Sequence, residues 1–222
     1  MKRIGMLTIG QSPREDIIPD FMEILGEGFE ILEAGALDDL TLEDVKRIEF
    51  GPDDHLLVSR MRDGTEVKIT ERFILPLMQK RIRVLEENGV RLTLIMCTGN
   101  FPPFESKGLV VTPQEILRGL LEGALKKGRL GVIYPAREQA LKAKSEHKRD
   151  GVEIYADYLS PYEGESDLDS LAERLAEQNL DLIFLNCFGF GGEVKRVLKE
   201  RTGKPVIQSN ALIASVLKEL VS

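Results

Sequence analysis

Two cysteines are the residues of this chain best suited to chemistry, and they are its only two. Each closes an apolar run: LTLIMC ends at Cys97 and LIFLNC at Cys187. A short turn follows each, Thr98-Gly99-Asn100 in one case and Phe188-Gly189-Phe190-Gly191-Gly192 in the other. A thiolate removes protons and a thiol delivers them. A pair sharing one site therefore suits a reaction that needs a base on one face of a carbon and an acid on the other. A free thiol ionises near pH of about 8.5, and a helix N-terminus beside Cys187 is expected to lower that value. The ionisations of such a pair belong to the pair rather than to either residue. Other readings stand beside this one. Cysteine is often a buried small hydrophobe, and a disulfide is disfavoured in the expected reducing compartment. His55, Cys97, His147 and Cys187 have none of the short ligand spacings of a zinc site, so no metal is expected.

The elements that must carry these residues alternate between strand-like and helix-like segments, as in an α/β sheet with crossover helices. Strands are expected near 2–9, 29–34, 92–97, 109–111, 130–134, 152–157, 182–187 and 205–208. The central ones are continuous apolar runs, as parallel strands covered on both faces should be. HLLVSRMRDGTEVKIT reads as a hairpin with Asp63-Gly64 at its tip. Ser12-Pro13-Arg14-Glu15 and Thr112-Pro113-Gln114-Glu115 each offer an N-cap hydroxyl, a proline at N1 and a glutamate at N3. Pro19 then falls inside the first of these helices, where a kink or restart is expected.

The chain also repeats itself. Gly89-Val90-Arg91-Leu92-Thr93-Leu94-Ile95-Met96-Cys97-Thr98-Gly99 aligns with Asn179-Leu180-Asp181-Leu182-Ile183-Phe184-Leu185-Asn186-Cys187-Phe188-Gly189. Upstream, Ile4-Gly5-Met6-Leu7 matches Leu130-Gly131-Val132-Ile133, and downstream Val110-Val111-Thr112-Pro113 matches Val206-Ile207-Gln208-Ser209-Asn210. Gly5 lies farther from Cys97 than Gly131 does from Cys187, and the surplus falls where the hairpin lies. The expected fold is α/β: two similar, mostly parallel halves facing each other across a cleft, with a β-hairpin insertion in the first half. The first domain is placed at 1–110 plus 210–222, with the final helix over 211–221, and the second at 111–209. Ligands of open parallel sheets bind beyond the carboxyl ends of the strands, which is where both cysteines fall.

Residues on the same rim are candidates for holding a substrate. Thr8, Gln11, Ser12 and Arg14 follow the first strand, and Arg14 is the best bidentate clamp for a carboxylate. Thr98, Gly99 and Asn100 offer backbone N–H groups and polar side chains to an anion, as do Phe188 and Gly189 at the expected helix N-terminus. Tyr134 ends the strand that opens the second half, and Ser209 and Asn210 open the last helix, with Asn210 a good N-cap. The loop from Thr98 to Gly108 carries Phe101-Pro102-Pro103-Phe104, which either closes over a site or packs against the other half. The glycines at 189, 191 and 192 lack the spacing of a dinucleotide fingerprint.

Composition removes several classes. A net charge of -7 argues against a nucleic-acid surface, and the basic cluster Lys142, Lys144, His147, Lys148 and Arg149 reads as a solvated helix face. No apolar run is long enough for a membrane span, and MKRIGMLTIG reads into a strand rather than a secretory signal, so a cytoplasmic location is expected. The expected partner is a small carboxylate ligand, with no nucleic acid and no membrane, and a homodimer is compatible with this reading.

The blocks MLTIGQSPR, MCTGNF, LNCFGF and VIQSNALIA resemble the AroM family nearly end to end. More distantly, the paired cysteines and the two-half layout resemble the aspartate/glutamate/hydantoin racemase superfamily. The resemblance implies two similar α/β domains with a cleft between them. It also implies cofactor-independent enzymes in which paired cysteines, here Cys97 and Cys187, racemise or isomerise a substrate. Relatives with one cysteine decarboxylate. The expected activity is thus a cofactor-independent isomerase or racemase acting on a small carboxylate. The alternatives are a single-thiol decarboxylase or lyase, and a regulatory protein that binds a small acid without turnover. Two departures weaken amino-acid racemisation in particular. Such racemases typically carry an acidic residue in the turn after the first strand and Thr-His after the second cysteine, whereas this chain has Thr8-Ile9-Gly10-Gln11-Ser12 and Phe188-Gly189.

Overall fold

The apolar runs are strands, and all but the hairpin pair are parallel. A computed structural model describes residues 2–52, 54–162 and 167–221, with the side chain of Lys144 outside the described set. The chain divides into two compact units, Met1–Gln114 with Val221, and Glu115–Leu220. The first holds β1 (Lys2–Thr8), α1 (Ile18–Leu25), β2 (Phe29–Gly35), α2 (Leu42–Lys46), β3 (Leu56–Arg60), β4 (Glu66–Thr70), α3 (Glu71–Glu87), β5 (Leu92–Ile95) and β6 (Leu109–Val111). Then come α4 (Pro113–Ala124), β7 (Gly128–Tyr134), α5 (Arg137–Ala140), α6 (Ala143–Glu146), β8 (Val152–Tyr158), α7 (Leu168–Ala176), β9 (Leu182–Leu185), α8 (Gly192–Thr202), β10 (Val206–Gln208) and α9 (Ser209–Val221). In this division α9 falls with the second unit up to Leu220, and the boundary lies after Gln114.

The internal repeat is visible in the strand order. One sheet runs β2-β1-β5-β6 and the other β8-β7-β9-β10, so each strand has a counterpart in the same place. The registers agree as well, Leu7 opposite Ile95 in one sheet and Ile133 opposite Leu185 in the other. Just past the paired strands, Met96 N–H donates to the Leu7 carbonyl at 2.8 Å and Asn186 N–H to the Ile133 carbonyl at 2.8 Å. β5 and β9 both end two residues short of their cysteine, earlier than the apolar runs suggested.

Each unit has its own core on one face of its sheet. In the first, Leu7, Ile95 and Ala34 pack with Ile74, Met78, Ile82 and Leu85 of α3, whose spacing of three and four residues puts them on one helix face. In the second, Ile133, Ile183 and Leu185 pack with Leu168, Leu171 and Leu175 of α7 and Leu198 of α8. The inserted hairpin pairs β3 with β4 antiparallel, Leu56 opposite Thr70 and Arg60 opposite Glu66. Its turn is closed by Met61 N–H to the Thr65 carbonyl at 2.8 Å, with Gly64 at a φ of 94° that favours glycine.

Two local expectations are corrected. The first helix does not start at Pro13. It starts at Ile18 with Pro19 in its first turn, because the Ser12 hydroxyl and N–H both bond Asp38, at 2.8 and 2.7 Å, instead of capping a helix; the Ser12–Pro13 peptide is cis. The last helix starts at Ser209 rather than 211, and the Asn210 side chain reaches back to another loop. In the loop after β5, Phe101 joins the core of the first unit, and Gln79 of α3 makes two hydrogen bonds to the backbone of Glu105. The helix start at Pro113 is as expected. No helix among the described residues is long and apolar enough to cross a membrane.

Candidate active site

Cys97 and Cys187 occupy equivalent positions, two residues beyond the carboxyl ends of β5 and β9. Neither is in a disulfide. The backbone geometry around them is the same. Gly99 N–H donates to the Cys97 sulfur at 3.3 Å, and Gly189 N–H donates to the Cys187 sulfur at 3.4 Å. An N–H aimed at sulfur favours its charged form. The surroundings differ in burial. Cys97 is half-buried and packs against the core of the first unit, whereas Cys187 is 8% exposed and belongs to the core of the second.

Both turns are held tightly. A side chain at Gly99 would come within 3.2 Å of Leu57 and 3.1 Å of Phe101, and one at Gly189 within 2.9 Å of Pro161 and of the Tyr162 hydroxyl. Thr98 is half-buried and Asn100 exposed. Gln208 donates to the Phe190 carbonyl at 2.8 Å, and Asn210 donates to the carbonyls of Phe188 and Phe190, each at 3.1 Å. The Ser209 hydroxyl donates to the Leu185 carbonyl. Ser209 and Asn210 thus fix the end of β9 and the turn after Cys187. α8 begins only at Gly192, so Phe188 and Gly189 lie in the preceding turn and not at the helix N-terminus as expected.

The loop after β1 uses its polar side chains on protein partners. Thr8 is fully buried; its hydroxyl accepts from Gly10 N–H at 3.2 Å and from Arg14 Nη1 at 2.9 Å. Gln11 donates to the carbonyls of Leu37 and Leu40 and accepts the N–H of Arg62. Arg14, the expected substrate clamp, is 2% exposed and directs the bidentate edge of its guanidinium at Asp16, at 2.8 and 2.7 Å. Burial alone would raise the Asp16 carboxyl; the hydrogen bonds and charge of Arg14, helped by the charge of Arg60, outweigh it and hold the group below its ordinary value. Glu33 is shifted the other way. Burial raises it, against the pull of Arg14, with Asp16 and Asp38 adding to the rise.

In the second unit Tyr134 is buried and donates its hydroxyl to Glu146 at 2.7 Å. Burial first, and then the Glu146 charge, push the Tyr134 phenol far above its ordinary value, so it stays protonated. His147 lies between aromatic neighbours, 6.3 Å from the Tyr134 ring and 6.2 Å from Phe184. Burial lowers its imidazole, against the opposing charge of Glu146. The basic run therefore does not behave as one solvated face: Lys142 and Lys148 are exposed, while His147 turns inward. Among the described residues no group of three or more His, Cys, Asp or Glu could hold a metal ion.

One family profile, described as AroM protein, matches residues 4–221. The chain belongs to the AroM family. No curated protein matches this AroM chain. Solved structures do. A maleate cis-trans isomerase from Nocardia farcinica matches with a TM-score of 0.64 at 14% identity, over 100% of this chain and 93% of that one. Glutamate racemase from Aquifex pyrophilus matches with 0.60 at 14%, over 99% and 84%. An arylmalonate decarboxylase matches with 0.56 at 16%, over 99% and 91%. At these identities the likeness establishes the fold: this AroM chain has the α/β fold of the aspartate/glutamate racemase group.

Proposed function

We propose that the protein is a racemase- or isomerase-like enzyme that moves a proton at a carbon beside a carboxylate, with Cys97 and Cys187 as its base and acid. The observation that carries this reading is the duplicated thiol: two cysteines at matched places in two sheets of the same strand order, each bonded by the glycine N–H two residues on. Burial favours an uncharged thiol, so the more buried Cys187 is assigned the resting acid and Cys97 the resting thiolate. Cys97 takes the proton, leaving the electron pair on the carbon and its carboxylate as an enolate. Cys187 then delivers its own proton to the opposite face, and the two thiols end with their protonation exchanged. No electron leaves the substrate and no cofactor is required. Turn N–H groups at Thr98 and Phe188 are assigned to the developing enolate charge.

The side chains of Thr8, Gln11, Ser12 and Arg14 are bonded to protein groups, which supports a holding role for this loop. A reading in which one thiol protonates a carbanion left by decarboxylation draws support from the likeness to arylmalonate decarboxylase and from the unequal burial of the two thiols. The test is incubation in deuterated water with a panel of small chiral carboxylic acids. The proposal expects exchange beside the carboxylate that is lost in both Cys97→Ser and Cys187→Ser. Exchange or decarboxylation that survives one of the substitutions assigns the one-thiol reaction. Tight binding with no turnover in any case makes the protein a sensor and overturns the enzymatic reading.

A further inference from the structure

Among the described residues, the hairpin is the one element of the first unit's strands with no counterpart in the strand order of the second. It is not an appendage. Along one side, the residues at and after the end of β3 grip the loop that follows β1. Gln11 N–H donates to the Arg60 carbonyl at 3.1 Å, Arg62 N–H donates to Gln11 Oε1 at 2.9 Å, and Arg62 Nε donates to the Ser12 carbonyl at 2.6 Å. The approach is close enough to demand glycine at position 10, where a Cβ would lie 2.3 Å from Ser59 Oγ and 2.4 Å from the Arg60 carbonyl. Arg60 also reaches Asp16 at 3.7 Å, next to the buried Arg14 pair. Near its other end, β3 presents Leu57, 2% exposed, whose Cδ2 would stand 3.2 Å from a Cβ at Gly99. Gly99 is the residue whose N–H meets the Cys97 sulfur.

We propose that the inserted hairpin is a positioning device for Cys97: it docks on the β1 loop and on the cysteine turn together, and Leu57 and Arg62 are the residues through which it sets them. The second unit fills the equivalent place with other material. There Pro161 and Tyr162, after β8, stand against Gly189, and Gln208 and Asn210 fasten the turn by hydrogen bonds. The same requirement, a fixed N–H over a thiol, is thus met by packing from the hairpin in one unit and by packing from Pro161 and Tyr162 together with side-chain amides in the other. The proposal therefore assigns the effect of the hairpin to Cys97, whose turn it packs against, and that of Gln208 and Asn210 to the turn after Cys187. Leu57 and Arg62 are assigned as positioning residues, Arg62 through its bond to the Ser12 carbonyl and Leu57 through its place against Gly99. The reactivity consequence rests on the reading of Cys97 as the base; the docking itself does not.

The test uses the full chain with Leu57→Ala and Arg62→Gln. Arg62 is 56% exposed, so its variant keeps the fold even if the smaller core residue at 57 does not. Hydrogen exchange read at the Gly99 amide tests the docking. Both variants are expected to speed it by about tenfold, the change that loosening one local contact gives, with the Gly189 amide unchanged. Alkylation by iodoacetamide across a pH series, resolved by peptide mass, tests the consequence. The Cys97 midpoint is expected to move upward in both variants while that of Cys187 stays in place. Gly99 exchange at the wild-type rate in both variants, or Gly99 and Gly189 accelerated alike, overturns the clamp. A wild-type Cys97 that titrates like an ordinary free cysteine instead overturns the reading of it as the base, and the Gly99 exchange still decides the clamp.

Discussion

Replacing Arg14 by methionine should destabilise the first unit far more than its position in a loop suggests. The substitution keeps much of the apolar stem but deletes the hydrogen bonds to Asp16 at 2.8 and 2.7 Å and to Thr8 at 2.9 Å. The side chain of Arg14 is 2% exposed and that of Asp16 22%. Removing one member of a fully buried ion pair costs about 3–5 kcal/mol, because the other charge stays buried without its partner. Asp16 retains some solvent and the Arg60 guanidinium at 3.7 Å, which places the cost near the lower end, about 3 kcal/mol. For a chain of this length that corresponds to a fall of about 6–12 °C in Tm. The loss depends on pH with a definite sign. Asp16 titrates below its ordinary 3.8 in the fold, so the pair contributes fully above that pH and its contribution disappears as pH falls through the folded value. Denaturant titrations of wild type and Arg14→Met should therefore show a wide gap at neutral pH that closes in acid. A gap below about 1 kcal/mol at neutral pH, or one that does not change with acidification, would refute the account of Arg14 as a buried structural cation and return it to the substrate rim.

Two further outcomes follow from the second unit. His147 is held below its ordinary 6.5, chiefly by burial, so the unfolded chain takes up its proton first and stability falls as pH drops through 6.5. His147→Gln should flatten that slope between about pH 7.5 and about pH 5.5, as read from urea midpoints, and parallel curves for the two proteins would count against it. Asn210→Ala deprives the Phe188 carbonyl of its side-chain donor, whereas Gln208→Ala leaves the Phe190 carbonyl still bonded to Asn210. The first should cost about 1–3 kcal/mol and the second less, and the reverse order in chemical denaturation would mean that the turn is held by something else.

The strands were legible because parallel strands buried on both faces are written as uninterrupted apolar runs. The matched runs ending at Cys97 and Cys187 gave away the duplicated sheet order as well. The hairpin showed through its alternation and its Asp63-Gly64 tip. What stayed hidden was non-local. Ser12-Pro13-Arg14-Glu15 carries every local mark of a helix start, yet the groups that would cap it are claimed by Asp38, far along the chain. Arg14 looks like a free clamp until its burial and its neighbour Asp16 are known together. His147 sits in a run of lysines that gives no hint of the aromatic pocket formed by Tyr134 and Phe184 from two other elements. The cysteine turns were expected to present donors to an anion. Local sequence could not reveal that one glycine N–H in each would be aimed at sulfur.

The most direct measurement of the functional account asks whether the two thiols serve one site. Treating the folded protein with dibromobimane, a bifunctional reagent that joins thiols only across a small-molecule gap, and mapping the product by peptide mass gives the answer without a known substrate. The account predicts one intramolecular product linking the Cys97 and Cys187 peptides, suppressed by small carboxylic acids that bind the site. Two separate single adducts, with no linked peptide under conditions where both cysteines react, would contradict it.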